Sequence, residues 1–258
     1  LGLKSGRRGP LDPAAIGMIF RREMIRLTRD PSRLAGSLGR PLLWFLVLGL
    51  GMGSAFSGFQ GVPYIRYLLP GIVGMNLLFA SFLSAISVIW DREFGFLKEM
   101  LVAPIPRSSI VLGKTIAGAA VACLQGCVVI AFAPLMKIPL SPERLLLILP
   151  AMFLVAFSMT ALGLLIASRM TSFEGFGTLI NFVIMPMFFL SGAVFPMDQV
   201  PPFLKGLGAI NPMSYGVDLL RGVFEGTTLT AGWRSAAVLA AFSFVAVAAA
   251  DWAFRKRS

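Results

Sequence analysis

Apolar and polar stretches alternate along the 258-residue chain at intervals set by a bilayer rather than by a soluble core. A helix needs about 20 apolar residues to cross the hydrocarbon region. Runs at roughly 41–59, 67–90, 109–133, 145–168, 175–195 and 233–254 meet that length, which predicts six transmembrane helices. Formal charge keeps to their ends, with Lys114 and Asp251 only about a turn inside the boundaries. A charge at the centre costs about 2.5–3.5 kcal/mol on the insertion scale, so this placement is the expected one. Lipid offers the backbone no hydrogen-bond partners, so the runs are helices and not strands of an open sheet. The expected fold is therefore an all-α integral membrane protein in one domain.

Three segments outside the runs carry patterns of their own. Residues 13–33, PAAIGMIFRREMIRLTRDPSR, set Ile16, Ile19, Phe20, Met24 and Leu27 on one helical face and Arg22, Arg26, Arg29 and Arg33 on the other. Such a helix suits the membrane interface, apolar side down. Met18 and Ile25 fall on the polar side, and Pro31 ends the helix. The plainer reading is a basic leader that only fixes orientation.

The second segment, 91–103, reads DREFGFLKEMLVA. Asp91 and Glu93 suit a helix N-terminus, and Phe94, Leu97 and Leu101 make an i, i+3, i+7 apolar row. Arg92, Lys98 and Glu99 flank that ridge; Pro104 and Pro106 stop the helix, and Ser108 or Ser109 is placed to cap the next. This is a short helix shaped for docking, or else a loop helix resting on headgroups.

The third segment, 196–230, is too polar and too broken by proline to span. Its two moderately apolar pieces, 200–210 and 213–224, are parted by Asn211-Pro212 and predict two short re-entrant or capping helices. Asp218, Arg221 and Glu225 at i, i+3, i+7 are spaced to pair along one face, so Asp218 and Arg221 are candidates for an outer gate. A folded loop without gating is the alternative.

Charge now fixes the sidedness. With the N-terminus inside, seventeen of the 23 lysines and arginines fall on the cytoplasmic side, leaving Arg66, Lys137, Arg144, Lys205, Arg221 and Arg234 outside. The positive-inside rule places both termini in the cytoplasm, and the same bias accounts for the +11 net charge without nucleic acid. Only 14% of residues are charged, against about 25% in soluble domains, and the mean hydropathy is +0.82. The basic first residues lack an apolar core and do not form a secretory signal.

Candidate chemistry is sparse. Histidine is absent, which removes the commonest general base and metal ligand; with no intramembrane acidic pair, an integral-membrane enzyme is not expected. Cys123 and Cys127 sit one turn apart in an apolar run and read as small helix residues. The LGKT at 112–115 resembles the end of a phosphate-binding loop, but Ser108 stands where its first glycine belongs and no strand precedes it. Small residues at Gly49, Gly51 and Gly53, at Gly71 and Gly74, and at Gly118, Ala122 and Gly126 favour close helix packing. Polar and aromatic positions inside runs, chiefly Asn76, Phe79, Ser84, Asn181 and Phe189, are candidates to line a pathway or to bond between helices.

Six spans punctuated by these three segments resemble the membrane subunit of ABC-2-type exporters, the group of daunorubicin-, nodulation-factor- and polysaccharide-exporter-like permeases. The resemblance covers nearly the whole chain and is carried most specifically by DREFGFLKEMLVAPIPRSSIVLGK, by LPGIVGMNLLFASF at 69–82, and by FFLSGAVFPMDQVPPFLKGLGAINPMSYGVDLLRGVF at 188–224. It implies that 91–103 (Arg92, Glu93, Phe94, Leu97, Lys98, Glu99, Leu101) is a coupling helix seated in a separate ATPase. It implies that the 13–30 helix, with Phe20, Arg22, Arg26 and Arg29, lies beside that ATPase, and that 197–225 re-enters the outer leaflet. Two permeases and two ATPases would form the unit in a prokaryotic cytoplasmic (inner) membrane. ATP-Mg would be bound by the partner and no cofactor by this chain. The cargo would be hydrophobic or amphipathic, such as a drug, a lipid or a lipid-linked glycan. A secondary transporter or channel without an ATPase is the rival expectation; such proteins place a charged or broken-helix site near the midplane.

Overall fold

The structure, a computed structural model, describes residues 11–29, 64–95, 105–136, 141–170, 172–197, 200–225 and 229–255, with positions 39, 43, 44, 46–48 and 51 between. The helices are α1 (Pro13–Arg29), α2 (Tyr64–Glu93), α3 (Arg107–Ala131), α4 (Pro142–Arg169), α5 (Phe173–Phe189), α6 (Pro202–Ile210), α7 (Pro212–Glu225) and α8 (Leu229–Arg255), with a 3-10 turn at Ala133–Met136. Among the described residues there is no strand.

Among the described residues four helices are long and apolar enough to cross a membrane: Tyr64–Glu93, Arg107–Ala131, Pro142–Arg169 and Gly232–Arg255. The expected run 175–195 is a shorter helix, because α5 stops at Phe189 and the chain turns through Gly192 at φ +77°. Its 17 residues rise about 25 Å at about 1.5 Å each, the lower limit of length for crossing roughly 30 Å of hydrocarbon. The expected span 41–59 lies almost wholly outside the described residues, with helix at 43–44, 46–48 and 51.

Helix α2 is the axis of the bundle and packs against α3, α4, α5 and α7. It is apolar on nearly every side, so every side needs a neighbour; Leu68, Ile72, Leu77, Leu78 and Phe82 are fully buried. Helix α4 lies between α2, α3 and α8, whereas α8 leaves Trp233, Phe244 and Val245 on its outward face, as a lipid-facing helix does.

Small residues set these distances. A Cβ on Gly71 would lie 2.3 Å from the carbonyl oxygen of Ala193, and one on Gly126 would lie 2.3 Å from Met152 Cε. Gly118 faces Thr160 and Ser84, and Gly74 faces Met213. The expected small-residue faces thus pack α2 and α3 against other elements of the same chain. Among the described residues no such neighbour meets Gly51, and Gly49 and Gly53 lie outside them.

Candidate functional site

The chemistry of the chain gathers where α1 meets the end of α2 and the start of α3. Asp12 opens α1, accepting from the backbone N–H of Ala14 at 3.0 Å and Ala15 at 3.4 Å, as an N-cap carboxylate does. The Asp12 N–H donates to Ser109 Oγ at 2.7 Å, which ties α1 to α3. Ser109 therefore does not cap its own helix: the residue before α3 is Pro106, and no side chain caps it. Ile19 packs on Ile110 and over Gly113, where a Cβ would lie 3.1 Å from that of Ile19.

The basic face of α1 also turns inward. Arg22 Nη2 donates to Asp91 Oδ1 and Oδ2 at 2.8 and 2.9 Å and to Glu23 Oε1 at 3.3 Å. Lys114 Nζ lies 2.5 Å from Asp91 Oδ2, 3.6 Å from Glu23 Oε1 and 3.1 Å from Ser87 Oγ. Lys114 is 3% exposed and Asp91 7%, so that pair is held away from water, with Glu23 beside it and the Arg22 side chain, 33% exposed, closing the set on the outside. A buried pair of this kind adds little net stability, but losing one partner costs about 3–5 kcal/mol because the other stays buried and uncompensated. Arg26 stacks over the Trp90 ring at 5.4 Å. The helix expected to lie at the interface by its apolar side is keyed to the bundle through Ala15, Ile19 and part of its arginine row. Phe20 is half-buried, and Arg29 is exposed.

This cluster was only half visible in the sequence. Asp91 reads as the start of a helix, yet α2 runs on to Glu93 and places Asp91, Arg92 and Glu93 in its last turn. Carboxylates at a helix C-terminus oppose the macrodipole, and for Asp91 the neighbouring Arg22 and Lys114 remove the conflict. The available signal was geometric: Asp91 directly follows the run 67–90 and Lys114 lies about a turn inside the antiparallel run 109–133, 23 residues apart.

Arg92 reaches sideways, donating to the carbonyls of Met170 and of Ser168, the latter at 3.2 Å, and so caps the end of α4. Arg107, at the start of α3, donates to the Arg255 carbonyl at 3.1 Å, at the end of α8. Gly95 takes the left-handed conformation, φ +76°, with its N–H on Arg92 O at 3.2 Å, and terminates α2. Phe94 is 74% exposed, with its ring 5.9 Å from Trp90. Glu93 is exposed as well. Leu97, Lys98, Glu99 and Leu101 lie outside the described residues.

The suggested pathway positions do not converge. Asn76 and Phe79 are buried within α2, and Asn76 Oδ1 has no hydrogen-bond partner among the described residues. Ser84 meets α3 at Gly118. Asn181 faces outward and bonds its own helix through Gly177 O at 3.2 Å, and Phe189 is also exposed.

At the opposite end of the bundle, the 190–197 turn, α6, α7 and the starts of α2 and α8 enclose a cavity of about 890 Å³. Gly192 O is its anchor, accepting from Tyr67 Oη at 3.0 Å and Arg221 Nη2 at 2.9 Å, with the guanidinium 4.1 Å over the Tyr67 ring. Asp218 accepts from Ser235 Oγ at 2.6 Å. Among the described residues Asp218 and Arg221 do not pair along α7; each turns to another element.

The family model for ABC-2 type transporters matches residues 14–224, from α1 almost to the end of α7. Nodulation protein J of Rhizobium leguminosarum bv. trifolii is 31% identical over 195 residues, covering 75% of this chain and 74% of that protein. The inner membrane transport permease YadH of Escherichia coli strain K12 is 26% identical over 185 residues, covering 71% and 72%.

Proposed function

The chain belongs to the ABC-2 type transporter family, and from that footing we propose that this multi-pass membrane permease is the membrane subunit of an ATP-driven exporter. Its working form is two permease chains with two separate ATPase subunits. ATP and Mg²⁺ belong to those partners; this chain transmits their motion and catalyses nothing itself. The reading keeps six spans, with 41–59 the first, both termini in the cytoplasm of a prokaryotic inner membrane, and 91–103 as the element the ATPase grips.

One observation carries it. The docked helix α1, the exposed Phe94 and both ends of the 96–104 connection stand at one end of the bundle, and the lysine and arginine bias assigns that end to the cytoplasm. Arg92 and Arg107 flank the connection and hold the ends of α4 and α8. A push there therefore has a route to four helices. ATP-driven movement biases the permease only as far as its two states differ in contact free energy. The cargo in this reading is hydrophobic or amphipathic rather than a small ion, because the apolar runs carry no central charge pair.

The test is purification of the intact complex. An ATPase subunit should co-purify, and its hydrolysis should be stimulated by amphipathic compounds. Leu97→Ala with Glu99→Ala should leave the permease in the membrane while lowering coupled transport about tenfold or more, since burial of one leucine contributes roughly 1.5–3 kcal/mol. Transport by the isolated chain without nucleotide would replace this reading with a secondary transporter or channel.

A further inference from the structure

We propose that the cavity at the Tyr67 end is a headgroup site for an anionic, phosphate-bearing amphiphile whose tail lies along the outer face of α6. This rests on the exporter reading, of which it narrows the substrate class.

Three observations converge. First, the cavity holds three cations, Lys205, Arg221 and Arg234, against two carboxylates, Asp218 and Glu225. Arg221 gives Nη2 to Gly192 O and its face to the Tyr67 ring, its Nε having no partner among the described residues, and Asp218 accepts from Ser235, so the lining with Glu225 keeps a net charge of +1. Among the described residues, the side chains of Lys205 and Arg234 have no hydrogen-bond or ion-pair partner, and they come from different helices, α6 and α8. Two such cations at one cavity recognise an oxyanion by charge-assisted hydrogen bonds.

Second, the cavity is open where it would admit a ligand: Lys205, Asp218, Glu225 and Arg234 are all exposed at its mouth. Its floor is fixed, because the Gly192 carbonyl is pinned by two donors and α7 is tied to the 190–197 turn through Ser214 Oγ and Leu190 O at 3.1 Å.

Third, α6 is two-faced. Lys205, Gly208 and Ala209 look into the cavity, while Phe203, Leu207 and Ile210, at i, i+4 and i+7, are exposed on the other side, Ile210 at 82%. A nine-residue helix with a polar cavity behind it and a bare apolar stripe in front fits a molecule that is charged at one end and greasy at the other. A soluble anion would have no use for the stripe, and a neutral hydrocarbon none for Lys205 and Arg234.

The full-length permease, purified in a neutral maltoside, is titrated with dioctanoyl phosphatidylglycerol, dioctanoyl phosphatidylcholine and inorganic phosphate, with binding followed by native mass spectrometry. The anionic lipid should bind best. Lys205→Gln with Arg234→Gln, both at exposed positions, should weaken it about tenfold while leaving the phosphatidylcholine signal unchanged. Ile210→Ser should weaken the same lipid without altering phosphate. Equal binding of the two lipids, an unaffected double variant, or phosphate binding as tightly as the lipid would each overturn the site. Anion-selective lipid binding by a chain that yields no ATPase partner would keep the site and sink the exporter; an ATPase-coupled complex with no lipid preference would do the reverse.

Discussion

Lys114 carries more of the architecture than its place near the end of a span suggests. It is buried, it touches Asp91, Glu23 and Ser87, and it is one of two positive charges in a neutral set of four. Lys114→Met should therefore strip a counter-charge from two carboxylates, costing about 3–5 kcal/mol and lowering the thermal midpoint of the detergent-solubilised protein. Lys114→Met combined with Asp91→Leu leaves Arg22 facing Glu23, still neutral, and should recover much of the loss. A double variant as unstable as the sum of the two singles would show that the four groups do not act as a unit.

Among the elements, the prominent contacts are between backbones. Gly71 meets the Ala193 carbonyl with no room for a methyl group, and backbone cannot step aside as a side-chain tip can. Gly71→Val should separate α2 from the 190–197 turn and cost about 1–3 kcal/mol. Gly51→Ala, at a position with no neighbour within 4 Å among the described residues, should be close to silent; equal losses in a melting experiment would refute the packing account. The helices themselves were largely legible in the sequence, because hydrophobic length and proline positions are local properties. Their ends were not. The short α5 depends on a left-handed Gly192 whose carbonyl is held by Tyr67 and Arg221, residues 125 and 29 positions away. No window of apolar residues contains that information. The arginines of α1 misled for the same reason: a periodic charge looks solvated until its counter-charge appears in another helix.

Taken whole, the molecule has two polar ends joined by an apolar shaft. At one end ionic contacts fasten α1, α2 and α3 together; at the other, hydroxyls, carbonyls and a cation over a ring fasten α7 to α2 and the 190–197 turn. Arg92 was legible as one of the candidate coupling residues, but its hold on the end of α4, like that of Arg107 on the end of α8, was not, since an acceptor carbonyl leaves no trace in sequence. Sidedness is open to direct measurement. In a background with Cys123→Ala and Cys127→Ala, a membrane-impermeant maleimide should label Ser258→Cys only after the cells are opened, and Lys205→Cys from outside. The reverse pattern would invert the assigned topology and the coupling role with it.

The α1 contacts also impose an order on synthesis. Arg22 emerges from the ribosome 69 residues before the Asp91 it binds, and Lys114 follows later still. Until the α2–α3 hairpin has entered the bilayer, the nascent helix has no counter-charges to meet and must wait at the surface among anionic headgroups. Docking of α1 is then a late checkpoint of assembly, reached only by chains whose second and third helices have been threaded to matching depth.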